Sequence, residues 1–295
     1  MLGHTNFFCH SDRSLGLPAI IMTPPSSPFS LSGHSALVTG SSQGVGAAIA
    51  IALARAGANV CLHGLALNDD MLRVERACQD HGVRVACVFE DLATSDPSAI
   101  ERMFARANAL LPGIDLLVNN AGTFIDVPFL EMTRERYERT MRLNVDAGFF
   151  LTQAYAKHWI ERLIRGRVLF TGSINGVLAE PTHVAYDASK GAVAAMVRSL
   201  CVSLAPHHIR VNAIAPGLVR TPLTNQVLSR DVDALKWMQL HTPNGQVPEA
   251  DVCGGAAVFL LSDAAEHIHG QTLLIDGGMS VWQQPDLPDA LRGHL

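Results

Sequence analysis

The chain has 295 residues, of which 48% are hydrophobic and 17% are charged. This composition predicts a large buried core and excludes a wholly disordered or collagen-like chain. The 22 basic and 27 acidic residues give a net charge of -5, so no excess of positive charge is present to bind a nucleic-acid backbone. We therefore expect one large α/β domain with a tail, and no nucleic-acid partner.

The six cysteines are scattered without a C-x-x-C pair, which favours a reducing cytoplasm over an oxidising compartment. The sequence has no apolar run of the roughly 18 residues that a spanning helix needs, so we expect no membrane partner. The thirteen histidines include two close pairs, His207-His208 and His267-x-His269, and neither has acidic or cysteine partners at ligand spacing. The sequence therefore predicts no metal site.

Residues 1–32 differ in composition from the rest of the chain. The stretch from Thr23 to Gly33 contains three prolines and four serines and has no periodic apolar pattern, which is typical of a flexible tail. Because Met22 stands just before this stretch, one hypothesis is that the native chain starts there. We predict a catalytic domain over residues 33–282 and a second tail over residues 283–295.

From Ser35 onward, short β-rich runs alternate with helical patterns. The runs are, in chain order, ALVTG, NVCLHG, VRVACVFE, IDLLVNNAG, GRVLFTGS, IRVNAIAPG and QTLLIDGG. Apolar residues between them recur at helical spacing. Seven strands joined by helices predict a single doubly wound, Rossmann-type α/β domain, in which helices cover both faces of a parallel sheet. Ligands of such domains bind beyond the carboxyl ends of the strands.

The first strand runs directly into a glycine-rich loop, Gly40-Ser41-Ser42-Gln43-Gly44-Val45-Gly46, and then into an alanine-rich helix. This is the context of a dinucleotide-binding loop. Gly40 permits a tight turn, Gly44 lets the backbone approach a pyrophosphate, and Gly46 allows close packing of helix on strand. The helix N-terminus offers N–H groups to the phosphates.

Tyr186 and Lys190 lie four residues apart, which places them on one face of a helix. A phenol with a pKa near 10 is a poor base at neutral pH, and lowering that pKa to about 7 takes roughly 4 kcal/mol. A cation about 4 Å away supplies about that much at an effective dielectric constant near 20. We therefore expect Lys190, helped by a positively charged nicotinamide ring, to lower the pKa of Tyr186 and make it a working acid or base, with desolvation offsetting part of the effect.

These motifs are similar to those of the short-chain dehydrogenase/reductase family. The resemblance covers the chain from about Leu31 to Ser280. The motifs occur in the family's order and spacing: Thr39-Gly40-x-x-x-Gly44-x-Gly46, Asp91, Asn119-Asn120-Ala121-Gly122, Asn144, Ser173 thirteen residues before Tyr186, and Pro216-Gly217-Leu218-Val219-Arg220-Thr221.

The resemblance implies hydride transfer between a nicotinamide and a carbinol or carbonyl carbon. It implies that Tyr186 exchanges the hydroxyl proton, that Ser173 hydrogen-bonds the substrate oxygen, and that Lys190 also holds the nicotinamide ribose. The carbonyl of Asn144 would hold a water linked to Lys190. The cofactor contacts that it implies are Gly40, Ser42, Gln43, Gly44, Val45, Gly46, Gly64, Asp91, Leu92, Asn119, Ala121, Gly122, Tyr186, Lys190, Pro216, Gly217, Val219 and Thr221.

The end of the second strand bears on the choice between NAD and NADP. An acidic side chain there holds the 2′-hydroxyl of the ribose in NAD, and an arginine holds the 2′-phosphate of NADP. This sequence has Gly64 and Leu65 at these positions, and Gln43 where NADP enzymes of the family often place a second base. We expect NAD to be favoured, with NADP left open because Arg73 lies in the next helix.

Two segments are expected to form the substrate pocket: residues 218–247 and the loop from Asn175 to Pro181. Their polar groups suit a sugar, a polyol or a similar small substrate. A 3-oxoacyl-[acyl-carrier-protein] reductase is the alternative enzyme, although members of that type tend to have cations where Phe150 and His207 stand here. A non-catalytic NAD(H)-binding regulator is an alternative of another class, and such members usually lack the tyrosine or the lysine.

Family members that resemble this chain pair two long helices across subunits. The corresponding stretches here, from Asn144 to Ile164 and from Tyr186 to Leu204, have more apolar positions than one sheet-facing stripe uses. Examples are Phe149, Phe150, Ala154, Ala192, Ala195 and Met196. We therefore expect a homotetramer.

Overall fold

The computed structural model of the protein describes residues 27–228 and 233–282. Most of the two predicted tails, including Met22, lies outside this range. The N-terminal boundary lies earlier than residue 33, because Leu31 is fully buried in the core and its N–H donates to the Ala56 carbonyl at 2.8 Å. The carbonyl of Pro28 accepts from the Ala264 N–H at 3.0 Å. The packed domain therefore begins at about Pro28.

Seven parallel strands form one sheet, as the β-rich runs predicted. They are β1 (Ser35–Val38), β2 (Asn59–Gly64), β3 (Val85–Phe89), β4 (Leu116–Asn119), β5 (Arg167–Thr171), β6 (Arg210–Pro216) and β7 (Thr272–Ile275). Their order across the sheet is β3-β2-β1-β4-β5-β6-β7. The register pairs Leu37 of β1 with Cys61 of β2 on one side and with Leu117 of β4 on the other. The doubly wound prediction is confirmed.

Nine helices connect the strands within the described ranges. They are α1 (Gly44–Arg55), α2 (Asp69–Gln79), α3 (Ala99–Leu110), α4 (Arg134–Met141), α5 (Ala147–Glu161), α6 (Val184–Leu204), α7 (Pro222–Leu228), α8 (Ala234–Leu240) and α9 (Val252–Leu261). Side chains cap three of them: Asn68 accepts from the Met71 N–H before α2, Thr133 accepts from the Arg136 N–H before α4, and Thr221 accepts from the Thr224 N–H before α7. Such caps stabilise a helix start because its first N–H groups have no partner within the helix.

The core consists of two apolar clusters, one on each face of the sheet. The first joins α1, α2 and α9 to the sheet, and the second joins α3, α5 and α6 to it. Both faces of the central strands are covered, so β1, β4 and β6 are buried along their whole length. This explains why residues 36–38 of β1 and 116–118 of β4 are all apolar rather than alternating with polar residues.

The order of the strands reverses at β1, which lies between β2 and β4. The chain leaves the carboxyl ends of β1 and β4 towards opposite sides, which opens a crevice at that edge of the sheet. By length and composition, one described helix, which begins as α6 and extends to His207, is apolar enough to cross a membrane. Because this helix packs on β6 and contains residues that line the crevice, we assign it to the α/β domain.

Candidate active site

A cleft of about 410 Å³ lies at the carboxyl ends of the strands. The glycine-rich loop after β1 forms one wall, and the segment after β6 forms another. Seventeen of the eighteen predicted cofactor contacts line it: Gly40, Ser42, Gln43, Gly44, Val45, Gly46, Gly64, Asp91, Leu92, Ala121, Gly122, Tyr186, Lys190, Pro216, Gly217, Val219 and Thr221. Residues that are scattered over 180 positions in the sequence therefore meet in one crevice.

The glycine-rich loop leaves no space for two of its missing side chains. Gly40 adopts a φ of +61°, and a Cβ there would lie 2.9 Å from the Cα of Ala121. A Cβ on Gly46 would lie 2.3 Å from the Gly40 carbonyl oxygen and 2.4 Å from the Asn120 amide nitrogen. The loop is thus folded tightly against the ends of β1 and β4, with the N-terminus of α1 facing the cleft, as a bound pyrophosphate requires.

Two polar side chains hold this loop against the end of β4. The Asn120 amide nitrogen donates to the carbonyls of Thr39 at 3.0 Å and Gly40 at 3.1 Å. The Thr39 hydroxyl oxygen accepts from the N–H groups of Asn120 and Ala121, both at 2.9 Å. The sequence motif contains Asn120, but the sequence alone assigned no contact to it.

His63 connects the same loop to the end of β3. Its Nδ1 accepts from the Gly40 N–H at 3.0 Å, so the ring is neutral and Nε2 donates to the Glu90 carbonyl at 3.0 Å. Burial lowers the pKa of His63 below its usual value, which favours this neutral form. The sequence analysis missed this residue.

Tyr186 and Lys190 lie on one face of α6, as their spacing predicted. The Lys190 Nζ lies 5.5 Å from the centroid of the phenol ring and donates to the Thr171 carbonyl at 2.9 Å. Ser173 follows β5 and lines the cleft together with Tyr186. The Ser173 Oγ accepts from the Asn175 N–H at 3.1 Å. A phenol, a hydroxyl and an ammonium therefore converge on one end of the cleft.

The pKa of Tyr186 in the protein by itself depends first on burial. Burial raises it above its usual value, and the nearby Ser173 hydroxyl opposes that rise only in part. Burial also lowers the pKa of Lys190 to about 8. The prediction that Lys190, together with a positively charged nicotinamide, lowers the phenol pKa concerns the complex and stays a prediction, because the loss of water around the phenol sets the direction in the protein by itself.

Asn144 lies in a five-residue π-helical segment, Arg142–Asp146, between α4 and α5. Its amide nitrogen donates to the Thr123 carbonyl and to the Ser189 hydroxyl, both at 2.9 Å, and its amide oxygen accepts from the Thr123 N–H at 2.7 Å. The Ser189 hydroxyl in turn donates to the Tyr186 carbonyl at 2.7 Å. Asn144 thus ties the first turns of α6 to the end of β4. The water that its carbonyl would hold remains a prediction.

Asn119 is the predicted cofactor contact that does not line the cleft. It is buried, and its amide nitrogen donates to the Thr152 hydroxyl of α5 at 2.9 Å. Its side chain alternates with that of Asn120 along the strand, so the two amides point to opposite faces. Asn119 therefore joins the sheet to α5.

At the far end of the cleft, Gly64 ends β2 and Leu65 follows it, and Leu65 is 70% exposed. Arg73 does not line the cleft; it forms an ion pair with Asp70 at 2.8 Å and its side chain is 66% exposed. The sequence left open whether Arg73 reaches the cofactor, and the structure places it on the outer side of α2. The described lining does contain one arginine, Arg139 of α4.

A second cavity of about 530 Å³ adjoins the cleft. The two share Phe124, Ser173, Tyr186, Gly217, Leu218 and Thr224. The other walls of the second cavity come from the loop after β5 and from α8, where Trp237 and Met238 lie. The phenol of Tyr186 therefore stands between a cleft shaped for a dinucleotide and a pocket large enough for a small substrate.

Comparison with known proteins agrees with this geometry. A family model described as enoyl-(acyl carrier protein) reductase matches residues 40–280. Gluconate 5-dehydrogenase of Gluconobacter oxydans is 36% identical over 254 residues, which cover 86% of this chain and 97% of that protein. The chain belongs to the short-chain dehydrogenase/reductase family.

Solved structures of the family show the same fold. A gluconate 5-dehydrogenase of Burkholderia cenocepacia in complex with NADP and tartrate has a TM-score of 0.79 and 33% identity, covering 86% of this chain and 98% of that one. A 3-oxoacyl (acyl-carrier-protein) reductase of Agrobacterium tumefaciens with NADP bound has a TM-score of 0.80 and 30% identity, covering 88% and 99%. This chain is thus an NAD(P)-dependent oxidoreductase that interconverts a secondary alcohol and a ketone, as predicted.

Proposed function

We propose that the protein oxidises a secondary alcohol of a sugar or polyol to the ketone, reversibly, with NAD(H) preferred. The position of the Tyr186 phenol, where the dinucleotide cleft meets the second cavity, carries this proposal. Hydroxyl, amide, carboxylate and imidazole side chains line that cavity and can hydrogen-bond several substrate hydroxyls. Relatives named for gluconate, glucose and rhamnose support the same substrate class.

The bound dinucleotide supplies the carbon that gives or takes the hydride. The Tyr186 oxygen takes the proton of the substrate hydroxyl in the oxidation and returns it in the reduction. Ser173 donates a hydrogen bond to the substrate oxygen as charge develops there. Lys190 offsets part of the cost of forming a buried phenolate and also holds the nicotinamide ribose. Asn144 keeps the start of α6 in place and, through its carbonyl, holds the water that links Lys190 to solvent.

The remaining cofactor contacts divide along the cleft. The loop from Gly40 to Gly46 would hold the pyrophosphate, Asp91 and Leu92 the adenine, Ala121 and Gly122 the adenosine ribose, and the segment from Pro216 to Thr221 the nicotinamide. NAD is preferred because Gly64 and Leu65 offer no cation to a 2′-phosphate. The position of Arg73 on the outer side of α2 supports this preference.

We also propose a homotetramer. Phe149 and Phe150 of α5 are 39% and 48% exposed, and their rings contact each other edge to face at 5.1 Å between centroids. Val202 of α6 is exposed as well. Apolar side chains on the outer faces of these two helices support their pairing across subunits. A cytoplasmic location is supported by the five described cysteines, which are all unpaired.

A substrate panel tests the proposed function. Sugars, polyols, simple ketones and acyl thioesters are each offered to the wild-type enzyme with NAD(H) and NADP(H), and nicotinamide absorbance is followed. Turnover of sugars or polyols is the expected result. Turnover of acyl thioesters alone would favour the 3-oxoacyl-[acyl-carrier-protein] reductase. Tight dinucleotide binding without any turnover would favour the regulator.

A further inference from the structure

The second cavity, which we call the substrate pocket, has a negative charge. Three carboxylates line it, those of Asp126, Glu180 and Asp233, whereas its described lining contains His183 as the one base and neither lysine nor arginine. Residues 229–232, which contain one arginine and one aspartate, lie outside the described ranges. Asp126 and Glu180 together exceed the charge of a protonated His183, so the described lining has a net negative charge whether His183 is protonated or neutral.

His183 cannot readily receive an anion, because carboxylates already face both of its ring nitrogens. Nδ1 lies 3.3 Å from Glu180 Oε2, and Nε2 lies 3.7 Å from Asp126 Oδ1. The residue is 8% exposed, and Phe124 packs edge to face on its ring at 4.5 Å. Burial opposes protonation of the ring, but the neighbouring carboxylates outweigh burial and raise the pKa of His183. Its positive charge is thus balanced within the pocket wall.

Hydrogen bonds fix Glu180 in this wall. The Asn175 amide nitrogen donates to Glu180 Oε1 at 3.3 Å and to Asp187 Oδ1 at 2.8 Å, and Asp187 Oδ2 accepts from the Glu180 N–H at 3.1 Å. The imidazole of His183 next to it lowers the pKa of Glu180, which keeps its carboxylate ionised. The carboxylate of Glu180 is therefore held in a fixed position in the pocket wall that also contains Ser173 and Tyr186.

We propose that Asp126 and Glu180, with His183 between them, determine substrate specificity by excluding carboxylate substrates such as aldonates and admitting uncharged polyols. A substrate carboxylate would meet like charge with no described arginine or lysine to pair with. Polyol hydroxyls can instead donate to the carboxylates, and hydrogen bonds to an ionised acceptor are stronger than neutral ones. This inference rests on the proposed function, and it separates the chain from its relatives named for gluconate.

Matched substrate pairs that differ only at C1 test the inference. D-glucitol is compared with D-gluconate, and galactitol with D-galactonate, on the wild-type enzyme. For each pair we expect kcat/KM of the polyol to exceed that of the aldonate by at least about tenfold, or about 1.4 kcal/mol. The double variant Asp126→Asn, Glu180→Gln should reduce this ratio by at least about threefold. Asp80→Asn and Glu101→Gln, which neutralise exposed acids on other surfaces, should leave it unchanged.

A binding measurement makes the inference independent of turnover. The Kd of each pair is determined by calorimetry on Tyr186→Phe enzyme loaded with NAD. Tighter binding of the polyol supports the inference, and equal or tighter binding of the aldonate overturns it. Failure of both members to bind also overturns it. If the wild type turns over none of the four substrates, the proposed function is overturned instead. The two failures are therefore distinguishable.

Discussion

The neutral imidazole of His63 is expected to stabilise both the fold and the dinucleotide cleft. His63→Leu keeps much of the buried volume but removes the partners of the Gly40 N–H and the Glu90 carbonyl. An unpaired buried polar group costs about 1–3 kcal/mol. Both groups are half-buried and partly reached by water, so we expect a total loss of about 2–3 kcal/mol in the free energy of unfolding.

The same substitution should weaken dinucleotide binding, because Gly40 begins the loop that faces the pyrophosphate. We expect the Kd for NAD to rise by about tenfold, or about 1.4 kcal/mol. Urea unfolding and calorimetry measure the two effects. His81→Leu is the matched control, since His81 is exposed in the turn after α2, and it should change stability by less than about 0.5 kcal/mol.

The pH dependence of stability provides a further test of His63. Burial lowers its pKa in the folded state, so below a pH of about 6.5 the unfolded state binds a proton that the folded state resists. The contribution of neutral His63 is therefore complete above that pH and is lost as the pH falls towards the folded-state value. The difference in stability between the wild type and His63→Leu should shrink below pH about 6.5. A difference that stays constant from pH 5 to 8, or the absence of any loss at pH 8, would refute this reasoning.

Three further predictions concern Lys190, the cofactor and the assembly. Lys190→Ala should weaken NAD binding by about tenfold in calorimetry and lower turnover by at least about a hundredfold. Both effects are expected because Lys190 holds the nicotinamide ribose and also stabilises the phenolate of Tyr186. Unchanged NAD affinity would contradict that double role. NAD should bind more tightly than NADP, and Leu65→Arg should improve NADP binding by about tenfold because it places a cation after β2. A tenfold preference of the wild type for NADP would show that another basic residue pairs with the 2′-phosphate. Light scattering should give about four times the chain mass of 31.6 kDa, and a mass near 31.6 kDa would contradict the tetramer.

The seven strands of the parallel sheet and the general location of the site follow from local sequence signals. Each β-rich run contains one strand of the sheet, and the glycine-rich loop lies directly after β1, so both are recognisable within short windows. The spacing of Tyr186 and Lys190 is likewise a property of one helix. The earlier start of the packed domain is different, because the burial of Leu31 depends on its contact with Ala56 after α1.

The contacts that hold the site together could not be predicted from local patterns. His63 joins Gly40 to Glu90, and Asn120 reaches back to Thr39, so each link depends on chain segments that only the fold brings together. The π-helical turn around Asn144 has no propensity signal of its own. The raised pKa of Tyr186 also depends on burial, whereas the sequence showed only the nearby Lys190.

The role of Tyr186 as the proton donor and acceptor is tested most directly by Tyr186→Phe, which removes the hydroxyl and keeps the ring. NAD affinity, measured by calorimetry, should stay within about threefold of the wild type. Turnover of the best substrate should fall by at least about a hundredfold, the lower end for general acid–base catalysis. In the wild type, oxidative turnover should rise with pH, because the deprotonated phenol is the base. Turnover of Tyr186→Phe within about threefold of the wild type would contradict this role and leave the four-residue spacing from Lys190 without a catalytic meaning.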